Sequence, residues 1–139
     1  MTLKLPLPLR ADDPQNGRMR VLNRTKGLVV AEELEVADSL WGRFRGLMGR
    51  KELAHGTAML IRPSSSIHTF FMRFPIDAVF LDRADRVVRV AERVFPWRLA
   101  FGGRAHAVLE LPVGAAAESG IEPGDMLSFT DEAPGNVTL

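Results

Sequence analysis

The sequence predicts a mainly β, single-domain fold, a β-sandwich or barrel-like assembly with one or two short helices. Three observations carry that prediction. About eight short runs alternate or cluster apolar residues, with Gly, Pro, Asn or Asp signals between them. Only residues 39–48 repeat apolar residues firmly at helical spacing. A length of 139 residues suits one domain with a core of its own. The expected layout is an extended or disordered arm over 1–17, a β-rich domain over 18–131 and a tail over 132–139.

The arm is marked by Pro6, Pro8, Pro14, the pair Asp12-Asp13 and the turn signal Asn16-Gly17. Met19 to Asn23 interleaves with arginines as a first strand. Thr25-Lys26-Gly27 then turns the chain into Leu28–Val30. Glu32 to Val36 alternates charged and apolar residues, as a strand with one wet face does. Asp38 or Ser39 can cap the helix that follows. Its apolar side is Leu40, Trp41, Phe44, Leu47 and Met48, and Gly49 stops it. Arg43, Arg45, Arg50 and Lys51 give this region a local basic cluster, read either as a solvated face or as a source of one inward-reaching arginine, Arg43.

After the His55-Gly56 turn, Ala58 to Arg62 reads as a strand and Pro63 to Ser66 as a loop. Ile67 to Met72 is a short aromatic strand closed by Pro75, and Ile76 to Asp82 is the next. Arg83-Ala84-Asp85 turns into the long strand Val87 to Phe95. Pro96-Trp97 ends it, and Arg98 to Gly103 reads as a mobile loop with Gly102-Gly103 as a candidate hinge. Arg104 to Pro112 forms another strand, Val113 to Ser119 a short alanine-rich helix, and Glu122-Pro123-Gly124-Asp125 a turn before the last strand, Met126 to Thr130.

Composition excludes several chemistries. Without Cys there are no disulfides, thiol nucleophiles or thiolate metal sites. A net charge of +1 gives no reason to expect nucleic acid. No apolar run approaches the ~20 residues of a membrane helix. Met1–Arg10 lacks an unbroken apolar core, so the chain as written reads as cytoplasmic; removal of a signal peptide ahead of Met1 would make it periplasmic or exported. Phosphate-loop, dinucleotide and H-E-x-x-H motifs are missing, and the serines at 64–66 lack a nucleophile elbow.

Candidate site residues gather in Ser64 to Asp82, which holds four of the eight Phe, one of the three His and an Asp set among apolar residues. On an extended strand Asp77 shares its face with Val79 and Leu81, so it either bonds backbone N–H groups, pairs with Arg73 or Arg43, or forms a charged wall of a site. His68, Phe70 and Met72 would share a face. One imidazole and one thioether do not amount to a copper site, so no metal and no cofactor are expected. Glu110, between Leu109 and Leu111, repeats the Asp77 problem. Trp97 and Phe101 either cover a pocket or fill the core.

Four blocks stand in order: R-F-R-G-L-M-G-R at 43–50, H-T-F-F-M-R-F-P-I-D-A-V-F-L-D at 68–82, V-L-E-L-P-V-G at 108–114 and G-I-E-P-G-D at 120–125. Together they resemble a prokaryotic domain-of-unknown-function family, number one-ninety-two, over roughly residues 18 to 131. The resemblance implies a compact β-sandwich or barrel-like domain and lends no activity, cofactor or partner. Many relatives carry an export signal that this sequence does not show. The family's polar positions fall on Arg43, His68, Asp77, Glu110 and Asp125.

The expected function is a non-catalytic ligand-binding or interaction module, with a polar groove built from Arg43, His68, Met72, Arg73, Asp77, Trp97 and Glu110. Its partner would be a small molecule or a protein. The alternatives are a structural or assembly protein, and a small enzyme in which His68 is the acid/base and Asp77 or Glu110 orients it.

Overall fold

The computed structural model describes residues 19–37 and 50–131. The arm, the helix expected over 39–48 with Arg43, and the tail lie outside the described residues. The chain is mainly β. Its described strands are β1 (Arg20–Asn23), β2 (Leu28–Ala31), β3 (Glu33–Ala37), β4 (Thr57–Ile61), β5 (Ser66–His68), β6 (Ile76–Leu81), β7 (Val87–Val94), β8 (Leu99–Phe101), β9 (Ala107–Pro112) and β10 (Leu127–Thr130). One short helix, α1 (Ala115–Glu118), sits between β9 and β10.

A five-stranded sheet in the order β3-β4-β9-β6-β7 forms the middle of the molecule, with only the β3–β4 pair parallel. Every residue of β6 is buried, and alternation sends its side chains to two different cores. Val79 and Leu81 join Val21, Leu109, Leu111, Ile121 and Leu127, so the three-stranded sheet β10-β1-β2 and α1 close one face. Ile76, Ala78 and Phe80 join Ile61, Ile67, Met72, Phe74 and Ala100 on the other face, under the two-stranded ribbon β5-β8. The result is a layered, sandwich-like domain.

Two elements depart from the sequence reading. The strand expected over Ile67 to Met72 stops at His68, because Phe71 takes a left-handed backbone (φ 68°) that no strand continues through. The loop expected over Arg98 to Gly103 contains β8, whose residues pair with β5 in the register Ser66 to Phe101, Ile67 to Ala100 and His68 to Leu99. Gly102 ends that strand as a packing glycine. A Cβ there would stand 2.2 Å from Phe80 Cδ1, against a ring locked in the core. Gly102→Ala should therefore destabilise the domain by about 1–3 kcal/mol, read from denaturant unfolding. A variant as stable as the parent would show that Phe80 can give way.

A buried polar knot holds the β1–β2 hairpin to the turn before β10. Asp125 Oδ2 accepts from Asn23 Nδ2 at 2.9 Å and from the Glu122 N–H at 3.0 Å, and Lys26 Nζ lies 3.2 Å away. Burial pushes the Asp125 carboxyl up, but these hydrogen bonds and the Lys26 charge outweigh it and hold the group below its ordinary value. A depressed folded-state pKa adds stability that is present above the unfolded value of about 3.9 and is lost as pH falls through the folded one. Acid unfolding curves should show this loss below about pH 4. In Asp125→Asn that limb should flatten, on a baseline already lower at neutral pH. An unchanged limb would remove Asp125 from the acid response.

Candidate functional site

The outer face of the β5-β8 ribbon presents apolar side chains to solvent. Ile67 and Ala100 point into the core, so alternation turns His68, Leu99 and Phe101 outward. Phe71, Trp97, Leu99 and Phe101 are 59%, 55%, 56% and 59% exposed. Exposed rings this large normally cost solubility, and a contiguous group of them marks a contact surface.

The rings form a connected ridge. His68 stacks on Phe70 with centroids 4.9 Å apart, and Phe70 stacks on Trp97 at 5.8 Å. Phe71 meets Trp97 at 4.7 Å with a 58° tilt. These are the offset and edge-to-face arrangements that aromatic quadrupoles prefer. Both exposed tips carry strain, since Phe71 (φ 68°) and Trp97 (φ 65°) occupy the left-handed region. For bulky L-residues that costs about 1–2 kcal/mol each.

Thr69, fully buried between them, holds that backbone in place. Its hydroxyl donates to the Phe95 carbonyl at 2.6 Å and accepts from the Arg98 N–H at 2.9 Å. Its own N–H donates to the Arg98 carbonyl, and its carbonyl accepts from the Trp97 and Met72 N–H groups. The residue between the ring-bearing His68 and Phe70 is thus the clamp for the whole 95–98 turn. Thr69 was missed in the sequence, where a Thr in an aromatic run looks like ordinary strand chemistry.

The expected site residues divide among three places. His68 and Trp97 come together on the ridge, with Arg73 exposed two residues beyond Phe71. Met72 is buried in the core beneath, since the strand that would have aligned it with His68 ends early. Asp77 and Glu110 are fully buried in the central sheet. Asp77 points to the face away from the ribbon; its Oδ1 accepts from the Arg93 N–H at 2.8 Å, and its Oδ2 from the Gly114 and Ala116 N–H groups at 3.0 and 3.1 Å. It therefore does not orient His68. Glu110 pairs in register with Met59 and Ala78. Arg43 lies outside the described residues.

The structure also shows a depression the sequence did not suggest. A cleft of about 230 Å³ opens between β2, the start of β4 and α1, lined by Leu28, Val30, His55, Thr57, Pro112 and Ser119. A shallower one of about 620 Å³ continues along β2 and the residues before β4. His55-Gly56 reads as a turn in the sequence, and only the fold lays it beside α1. Among the described residues, no group of three or more His, Asp or Glu is placed to hold a metal ion, and no helix is long and apolar enough to cross a membrane.

Comparison with known proteins gives a consistent set of relatives. The profile of family DUF192, described as uncharacterized ACR, matches residues 21–129. A UPF0127 protein of Thermococcus kodakarensis is 36% identical over 117 residues, taking in 79% of this chain and 73% of that one. A UPF0127 protein of Pyrococcus furiosus is 35% identical over 113 residues, which is 78% of this chain and 97% of that one. Among solved structures, a protein of unknown function from Novosphingobium aromaticivorans superposes with a TM-score of 0.65 at 27% identity, covering 80% of this chain and 83% of its own.

Proposed function

Because the chain belongs to the DUF192 family, and membership brings a fold but no reaction, we propose from the ridge itself that it is a non-catalytic binding module whose contact surface is the outer face of the β5-β8 ribbon. One observation carries this reading. Phe71 and Trp97 are both exposed, in contact, and held in left-handed backbone by a buried threonine. A fold has no stability reason to strain two bulky aromatics outward; strained, over-determined residues of this kind concentrate at ligand contacts. Trp and Phe are also residue types on which binding energy concentrates.

The enzyme alternative in which Asp77 orients His68 loses support because Asp77 spends both oxygens on backbone N–H groups across the sheet from His68. The test is selection of short random peptides on the immobilised full chain, with the enriched peptides titrated against parent and Trp97→Ala. Trp97 is more than half exposed, so the variant should melt close to the parent while binding falls at least about tenfold. Peptides that bind both proteins equally would remove the ridge as the contact surface.

A further inference from the structure

Charge on the ridge narrows its occupant. Residues 64–76 and 95–108, which carry all its rings, contain Arg73, Arg98 and Arg104 and no Asp or Glu. Two guanidinium groups lie directly against it. Arg98 Nη1 donates to the Trp97 carbonyl at 3.3 Å, and Arg89 Nη1 from β7 donates to the Phe101 carbonyl. Three arginines elsewhere on the surface do meet carboxylates: Arg20 with Glu32, Arg50 with Glu35 and Arg62 with Asp85. Among the described residues, no carboxylate forms an ion pair with Arg73, Arg89, Arg98 or Arg104.

We infer that the occupant of the ridge is an acidic peptide segment of a partner protein, in which apolar side chains alternate with carboxylates. The inference rests on the ridge being the binding surface. Apolar side chains of such a segment would cover Phe71, Trp97, Leu99 and Phe101, and its carboxylates would meet guanidinium groups that form no ion pair with a carboxylate among the described residues. A second copy of the chain fits less well, because its ridge would bring arginines against arginines. A nucleic acid strand would find the arginines, but on the ridge Phe101 is the one exposed ring without an aromatic neighbour among the described residues: Phe70 already stacks on Trp97 and Phe71 packs against it at 4.7 Å, whereas stacking successive bases needs several free aromatic faces.

The same peptide selection, sequenced and followed by titration, decides the matter. On the full chain the enriched pool should be rich in Asp and Glu beside Leu, Ile or Phe. Replacing the acids of a selected peptide by their amides should weaken it at least about tenfold, as should Arg98→Glu or Arg73→Glu. Added salt should weaken it too. A neutral or basic pool that is still lost in Trp97→Ala overturns the acidic occupant and leaves the ridge standing. A pool indifferent to Trp97→Ala overturns both. Tighter binding of a labelled single-stranded oligothymidylate than of any selected peptide overturns the proposal in favour of nucleic acid. A concentration-dependent dimer in light scattering that dissolves in Trp97→Ala overturns it in favour of self-association.

Discussion

Asp77→Ala should lower the stability of the domain by about 3–5 kcal/mol, a larger loss than any surface substitution can cause. The reason lies in three donors rather than in the acid itself. The carboxylate bonds Arg93 N at 2.8 Å, Gly114 N at 3.0 Å and Ala116 N at 3.1 Å, all within buried or half-buried backbone. Arg93 and Gly114 both have positive φ, 56° and 92°, so the β7 irregularity and the entry to α1 are shaped around these bonds. Alanine leaves the N–H groups without acceptors, and each unsatisfied buried donor costs about 1–3 kcal/mol less whatever relaxation recovers. Asparagine keeps one oxygen and should recover part of the loss. Thermal unfolding would show a fall of more than about 10 °C for Asp77→Ala and a smaller one for Asp77→Asn. Below those temperatures a ridge-binding peptide should bind Asp77→Asn as it binds the parent. A stable Asp77→Asn that had lost the peptide would return Asp77 to the binding site.

What was legible in the sequence follows from periodicity. β6 could be divided correctly into two faces from alternation alone, because every second residue belongs to a different core. The structural reading of Asp77 was open to the same logic, but its donors lie 16 to 39 residues away in sequence and no local pattern names them. The ribbon was harder. β5 and β8 have three residues each, too few for a period to register. Loop composition at Arg98 to Gly103 concealed a strand, since Gly102 is required there by the Phe80 ring rather than by a turn. His68 and the Trp97 region were anticipated as the lining of a groove; in the structure Phe71, Trp97 and Phe101 are more than half exposed. Burial decides that difference, and an aromatic residue has the same sequence signature inside a core or outside it.

Thr69→Val tests whether the ridge is built or incidental. Valine keeps the shape and removes only the hydroxyl, so the Phe95 carbonyl and the Arg98 N–H lose their partner in the same buried spot. That should cost about 2–4 kcal/mol, and Thr69→Ser, which restores the oxygen, should regain most of it. The functional effect should exceed the global one. With the hydroxyl gone, the left-handed turn at Trp97 is held only by the main-chain bonds of residue 69, and relaxation of φ from 65° toward ordinary values would swing the indole out of its contacts with Phe70 and Phe71. Peptide binding should then fall by at least about tenfold in Thr69→Val and survive in Thr69→Ser. The strain has its own signature. Trp97→Gly should be more stable than Trp97→Ala by about 1 kcal/mol, because glycine accepts positive φ freely and alanine does not. If alanine proved the better residue at 97, the turn would not be strained, and an exposed tryptophan there would need no function to explain it.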